Sequence, residues 1–388
     1  MKSNTNEGVL FDIGSLYDRF RTMKDCRKAR GKRYELTTVL VLIVLAKLSG
    51  EDKPSGIADW AKFRTEQLCD LLGLTRKQLP HHSTYRRILE EVIDVEELDE
   101  LVGEHLTHGK HWGQAVMVSM DGKVLRGSLN DEREGTALLA AYLPEEGVVL
   151  LQVEIEGQGK EVPAALKLLK KLDLRDKIVM ADALHTQREA SEIIGQAGGN
   201  YIWYAKGNQS QMESNIALWF APQAKPLPGH GQLPKSDQTA RQVSKGHGRL
   251  EVRTLTVSHE LKEYLDWPYL EQVFKLERTV THLKTGITKT RVIYGFTSLA
   301  PDQVTAEQLL KLIRSYWGIE NGLHYRRDVT LREDATRMTN ANLAHAMATI
   351  NNLVLGLFCR LVEFDFLPAA RRFYNANLNE AFEMITRL

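Results

Sequence analysis

The sequence predicts an α/β fold: a mixed β-sheet with helices on its faces, carrying a β-rich insertion and preceded by an all-helical N-terminal region. Three observations carry that expectation. Apolar residues recur at helical spacing, with polar caps, through residues 1 to about 112. From 113 onward, short β-rich runs bounded by turn residues are followed by alternating helical and strand segments. Between about 210 and 300 the pattern is again that of strands, and helical periodicity returns after it.

Length and composition set the outer bounds. At 388 residues the chain exceeds what one hydrophobic core usually serves, so two or three packed regions are expected. Hydrophobic residues at 43% and charged residues at 26% exclude disordered and collagen-like classes. A net charge of +1 means that a nucleic-acid partner would be held by local basic clusters and not by a whole-molecule field. Cys26, Cys69 and Cys359 stand far apart, with no C-x-x-C spacing, which argues against a disulfide framework or zinc ribbon and fits a reducing, cytoplasmic setting.

In the helical region, "YELTTVLVLIVLAKLSG" holds an apolar run at 39–46 that is too short to span a bilayer and too far into the chain for a cleaved signal; it reads as a core helix, so no membrane partner is expected. "LLGLTRKQLPHHSTYRRILEEV" gives a short helix, a Pro-containing turn and a second helix capped by Ser83 or Thr84, with Arg86 and Arg87 on its first turns. That shape is compatible with a helix-turn-helix on DNA, and equally with an ordinary helical hairpin. The basic stretch "RFRTMKDCRKARGKR", 19–33, could track phosphates or form a solvated face. His105, His108 and His111 recur every third residue but lack the cysteine or carboxylate company of a zinc site.

The strand-rich part opens with "AVMVSMDGK" (115–123), "ALLAAYLP" (137–144) and "VVLLQVEIEG" (148–157). A helix near 163–173, a buried strand at 177–183, a helix at 186–197 and a strand at 200–208 follow. The order β-β-β-α-β-α-β is that of ribonuclease-H-like sheets. A Pro/Gly-rich linker (222–235) leads into "GRLEVRTLTVS" and then into "QVFKLERTVTHL" and "ITKTRVIYGFTSL", which are joined by a Lys-Thr-Gly turn. The helical segments "TAEQLLKLIRSYWGIENGLHYRRDV" and "NLAHAMATINNLVLGLFCRLVEF" would close the core.

Three carboxylates carry the chemistry. Asp121 is placed where the first apolar strand ends at a glycine, Asp182 holds the matching place after "IVMA", and Glu320 lies on the late helix. Such a sheet brings the ends of its first and fourth strands side by side, and a helix packed across them can add a third carboxylate. Hard cations such as Mg²⁺, or Mn²⁺ in its place, take oxygen ligands and keep positions open for water and phosphate. Two ions about 4 Å apart would clamp an in-line phosphoryl displacement. On an α-helix Tyr316, Glu320 and His324 would share one face, with Arg327 and Asp328 near its continuation. Lys123, Arg126, His185, Gln187, Lys206, Asn208 and Gln209 follow the presumed ligands closely, and a Gly-flanked His247 with Arg249 leads into a strand. These residues could hold a DNA backbone, or they could simply belong to surface loops.

With these residues in hand, the chain resembles the ISAs-type insertion-sequence transposases, also called H-repeat-associated proteins, a branch of the DDE transposases with a ribonuclease-H-like core. The resemblance covers nearly the whole chain and rests on "DGKVLRGS" (121–128), "KEVPAALKLLKKLDL" (160–174), "DALHTQREASEII" (182–194), "YAKGNQ" (204–209), "GHGRLEVR" (246–253) and "YWGIENGLHYRRDVTLREDATR" (316–337). Mild departures are Tyr316-Trp317 for a His-Trp pair, Tyr325 for a tryptophan, and "QGKE" for "KSNE".

The resemblance implies that Asp121, Asp182 and Glu320 are the acidic triad that binds two Mg²⁺ or Mn²⁺ ions, and that the protein cuts transposon ends and joins them to target DNA. The DNA contacts expected are Lys123, Arg126, His185, Lys206, Asn208, His247, Arg249, Asn321, His324 and Arg327. The partners implied are terminal inverted repeats and target DNA, with a homodimer on DNA. Residues 1–112 would form a helical domain suited to DNA binding, and 113–388 the catalytic domain with its insertion at about 210–300. The alternatives are a repurposed nuclease using the same triad and a catalytically inactive DNA-binding protein.

Overall fold

The computed structural model describes residues 2–4, 9–109, 116–129, 135–221, 237–361 and 364–387. The expected linker at 222–235, His111 and the 112/113 boundary lie outside the described residues. The elements begin with β1 (Lys2–Asn4), β2 (Leu10–Asp12), α1 (Leu16–Thr22), α2 (Leu36–Leu48), α3 (Pro54–Lys62), α4 (Thr65–Leu71), α5 (His82–Glu91) and α6 (Val95–Thr107). Then come β3 (Val116–Val124), β4 (Ala137–Leu143), β5 (Val148–Glu154), α7 (Glu161–Lys171), β6 (Lys177–Ala181), α8 (Arg188–Gln196), β7 (Asn200–Ala205) and α9 (Ser210–Trp219). Strands β8 (Gln238–Gly246), β9 (Arg249–Ser258), β10 (Gln272–His282) and β11 (Thr288–Thr297) precede α10 (Ala306–Ser315). Two π-helical stretches, Ile319–His324 and Arg326–Thr330, lead to α11 (Ala341–Cys359), α12 (Leu367–Ala376) and α13 (Leu378–Thr386).

The chain divides into two compact units. One comprises Met1–His111, Gly122–Ala164 and Ile319–Leu388; the other comprises Trp112–Asp121 and Ala165–Gly318. The N-terminal helices therefore share a unit, and a core, with the β4–β5 hairpin and the C-terminal helices.

In the first unit α2 is the core helix expected from its apolar run: all thirteen residues are buried. A helix that is apolar all round can be stable only when it is surrounded. Its one charge, Lys47, is 1% exposed and donates to Asp52 at 2.7 Å, and Asp52 also accepts from Arg371 at 2.8 Å. Helix α11 is long and apolar enough to cross a bilayer, but 89% of its apolar window is buried inside the protein. It packs on α2, α5, α6 and β5. The approach of α6 to β5 needs glycine, since a Cβ at Gly103 would stand 2.0 Å from the Leu150 carbonyl oxygen.

A buried polar network crosses this same contact. Asp99 on α6 pairs with His345 at 2.6 Å and accepts from Thr349 and Gln152. Gln152 in turn accepts from Asn352 at 2.9 Å. Burial pushes the Asp99 carboxyl above its usual range, and His345 opposes that rise. Helix α5 begins differently from the sequence expectation. Its cap is His81, whose ring accepts from the Ser83 amide at 3.4 Å, and not Ser83 or Thr84.

The second unit is built on strands. The order β3-β6-β7-β11-β10-β9-β8 is parallel from β3 through β7 and antiparallel from β7 onward. Pairings such as Val118↔Val179 and Val179↔Tyr201 join buried, β-branched and aromatic residues. The β-rich insertion expected at 210–300 thus extends this sheet. The Lys-Thr-Gly turn joins β10 to β11 as expected, with Gly286 at φ 69 and its amide donating to His282 at 2.8 Å. Ser191 on α8 anchors the aromatic side of the unit by accepting from both Trp203 and Trp267 at 2.9 Å.

Candidate functional site

Asp121 and Asp182 are positioned by backbone register. The last in-register pair between the parallel strands β3 and β6 is Met120↔Ala181. The next residue on each strand is an aspartate, so Asp121 stands beside Asp182 at a strand spacing of about 4.8 Å. One detail departs from the sequence reading: β3 does not end at Asp121 but runs on to Val124. Asp121 is instead the point at which pairing with β6 stops.

Asp182 is exposed and caps a short 3-10 turn, Ala183–His185, its Oδ1 accepting from the Leu184 amide at 2.8 Å. The turn is tied down from the neighbouring strand. The Asn208 amide donates to the Ala183 carbonyl, Gln209 donates to the Thr186 carbonyl at 3.0 Å, and the Thr186 hydroxyl donates to the Tyr204 carbonyl at 2.9 Å. Asn208 and Gln209 therefore hold the loop that carries Asp182, a role the sequence reading did not assign. His185, expected at a DNA backbone, is 2% exposed; it is a core residue of this turn, and that expectation is corrected. The Lys206 ammonium rides 5.6 Å from the Tyr204 ring centroid, half-exposed. His247 and Arg249 lie exposed at the β8–β9 turn, where His247 (φ 48) and Gly248 (φ 71) make the tight reversal.

The first unit carries the other half of the motif set. Lys123 donates to Asp328 at 2.5 Å and stands 3.8 Å from Asp334. The Arg126 amide donates to Asp334 at 3.2 Å while its guanidinium is 78% exposed. A Cβ on Gly127 would lie 2.9 Å from the Glu333 carbonyl oxygen. "DGKVLRGS" thus docks on "RRDVTLREDATR" through specific ion pairs. Lys123 is consumed by that docking, with its side chain only 10% exposed, and it is reassigned from DNA contact to bracing.

Glu320 is exposed, but the helix that carries it is not the α-helix the sequence predicts. Residues 319–324 and 326–330 are π-helical, with hydrogen bonds reaching one residue further than in an α-turn. The shared face of Tyr316, Glu320 and His324 does not form: Tyr316 is 8% exposed, Glu320 is exposed, and His324 is half-buried. Burial, with Arg327 and Lys123 adding repulsion, holds the His324 imidazole down at about 3. Arg327 is 1% exposed; its guanidinium donates to Glu333 at 2.9–3.0 Å and to Asn352 at 3.4 Å. It is a structural residue, and its expected DNA contact is likewise corrected. Burial alone would raise Glu333, but Arg327 and the Asn351 amide, 2.8 Å away, bring it below its usual range. Asn321 is exposed.

Asp121 and Asp182 belong to one unit and Glu320 to the other. Among the described residues, no three His, Cys, Asp or Glu side chains are grouped so that they could hold one metal ion. Sequence reasoning missed Asn351 and Asn352, whose signal was two adjacent amides inside the apolar run "INNLVLGLF". It also missed Asp334 as the partner of Lys123 and Arg126.

Comparison with known proteins adds identity to this geometry. Residues 112–357 match the family profile described as "Transposase DDE domain", and 17–106 match the one described as "DDE_Tnp_1-associated". "Putative transposase YncI" of Escherichia coli O157:H7 is 27% identical over 350 residues, covering 89% of this chain and 87% of that protein. "H repeat-associated putative transposase YhhI" of Escherichia coli K12 is 24% identical, covering 89% of this chain and 90% of its own length. Among solved structures, a piggyBac transposase synaptic complex with hairpin DNA is similar at a TM-score of 0.42 and 9% identity, over 95% of this chain and 77% of that one. A carboxylate pair set by strand register and a family match over most of the chain converge: this chain belongs to the transposase DDE domain family, with H-repeat-associated putative transposases among its relatives.

Proposed function

We propose that the chain is a DNA transposase that cleaves the ends of its element and joins them to target DNA, with Asp121, Asp182 and Glu320 as the acidic triad. The observation that carries this reading is the Met120↔Ala181 register, after which each of the parallel strands β3 and β6 continues directly into an aspartate. The chain order β3-β4-β5-α7-β6-α8-β7 and the parallel pairing of β3, β6 and β7 support a ribonuclease-H-like core. An all-oxygen donor set of this kind fits Mg²⁺ or Mn²⁺, which are held by one or two carboxylates together with substrate phosphates. Bound there, two such ions would neutralise charge developing on the scissile phosphate.

The protein's own part is positioning. Asn208, Gln209 and Thr186 fix the Asp182 loop, and Arg327 with Glu333 braces the segment that presents Glu320. Lys206, Arg249, His247, Asn321 and Arg126 remain as surface groups able to meet phosphates. Residues 1–112 would serve DNA binding and 113–388 catalysis, with two copies acting on paired ends.

The test is a cleavage and strand-transfer assay with labelled end duplex, target plasmid and Mg²⁺ or Mn²⁺, with the nucleoprotein complex sized by light scattering. Asp182→Asn should lower cleavage on the order of 1000-fold, equivalent to several kcal/mol of transition-state stabilisation. Wild-type rates in that variant would remove the proposal. Nicking without joined product would select the nuclease reading, and one protein copy per saturated end would remove the dimer.

A further inference from the structure

The basic N-terminal stretch and the start of α5, each of open meaning in the sequence, line a single groove of about 710 Å³ within the first unit. It shares no lining residue with the carboxylate site. One wall is the segment around residues 27–34. It is folded on itself by Arg27, which donates to both Asp25 oxygens at 2.9 Å and to the Tyr34 carbonyl at 2.9 Å. That internal pairing neutralises Arg27 and leaves Arg30 and Arg33 exposed on a shaped wall. The facing walls are α3, with Lys62, and the first turns of α5, with His81, His82 and Arg87.

The two arginines on α5 divide their work. Arg86 is engaged with Glu90 at 2.7 Å, whereas Arg87 lines the groove. Lys77, also in the lining, is taken up by Asp70. Asp59 is the one carboxylate in the lining. Among the described residues no carboxylate is paired with Arg30, Arg33, Lys62 or Arg87. Such uncompensated positive charge on several elements that face one channel matches a polyanion of regular spacing. Single-stranded nucleic acid would be gripped by aromatic stacking platforms, and here Tyr34, half-buried, is the only phenol or indole in the lining. The chemistry is that of phosphate neutralisation, which positions a duplex without reading its bases.

We propose that this groove, formed by Arg30, Arg33, Lys62, His81, His82 and Arg87, grips the sugar-phosphate backbone of double-stranded DNA as a sequence-independent clamp. The inference rests on the transposase reading and adds a second, non-catalytic DNA site to it. Because it acts through charge, its mark is a salt slope and not a change in sequence preference.

The test is fluorescence anisotropy of the full chain with a random-sequence duplex, titrated over a range of NaCl. The triple variant Arg30→Glu, Lys62→Glu, Arg87→Glu should weaken binding roughly 100-fold at low salt. It should also flatten the log–log salt slope by about 3, since each lost phosphate contact removes about 0.9. The corresponding alanine variant, expected to flatten the slope to the same degree with less loss of affinity, covers the case in which charge reversal prevents folding. Arg30→Lys with Arg87→Lys should bind as wild type. Affinity and slope unchanged in the triple variant would overturn the clamp. So would groove-dependent binding of single-stranded DNA or duplex RNA as tight as that of duplex DNA. Asp182→Asn, which should cut on the order of 1000-fold more slowly, should bind the duplex normally. Cutting of ends by wild type with no binding defect in the triple variant would sink the groove alone. Groove-dependent binding with no cutting by wild type would sink the catalytic reading alone.

Discussion

Asp182 and Glu320 are both exposed carboxylates, and they are held in opposite ways. Asp182 sits one residue past a regular strand, on a turn tied to the next strand by Asn208 and Gln209. Glu320 sits on a π-helical stretch held from beneath by buried Ile319 and Leu323 and by the Arg327–Glu333 pair. In the sheet, position comes from backbone register, a local and repetitive property. In the helix it comes from a few buried charges whose partners are set by tertiary packing. Loss of a side chain should cost the fold little in the first case and much in the second.

The sharpest way to break this contrast is Arg327→Ala. It strands Glu333 in the interior and should cost about 3–5 kcal/mol of stability, read by urea unfolding. Glu320→Gln, by comparison, should stay within roughly 0.5 kcal/mol because the residue is exposed. Equal stability of the two variants would show that the buried pair is not what holds the π-helical segment.

A pH series probes the same side of the contrast. His105 and His324 are both held down to about 3, chiefly by burial, against an ordinary value of 6.5. Unfolded imidazoles accept a proton near 6.5, whereas the folded ones refuse it until about 3. Their stabilising contribution is therefore whole above 6.5 and drains away as pH falls through that window. Each should contribute about 1.4 kcal/mol per pH unit there. His105→Leu should flatten the stability-versus-pH slope by roughly one proton, and an unchanged slope would place the proton on the folded ring. On the sheet side, Asn208→Ala should cost only about 1 kcal/mol of stability. It should nevertheless lower cleavage roughly 10- to 100-fold by loosening the Asp182 loop; cleavage at the wild-type rate would end the positioning role.

This contrast also explains what the sequence could show. Helix α2, the strands through β7 and the Lys284–Gly286 turn follow from periodicities of 3.6 and 2 and from turn chemistry, all local signals. The π-helical stretches did not, because a face assigned at i, i+4 and i+8 presumes α geometry. The burial of Arg327 and His185 was equally hidden, since charged and polar residues near a motif look alike whether they meet solvent or a partner in the core. His81 as the α5 cap was missed because a histidine ring is an uncommon substitute for a hydroxyl. That the N-terminal helices share their core with α11 rests on pairs such as Asp99–His345, 246 residues apart.

The glycine contact between α6 and β5 bears on how the chain can be cut. With Gly103 laid directly against Leu150 and the Asp99 network running through the same seam, the first hundred residues are not a detachable module. Excising them would lay bare the apolar flank of α11 and leave Gln152 and His345 facing water, so shuffling this segment between relatives means exchanging α11 along with it.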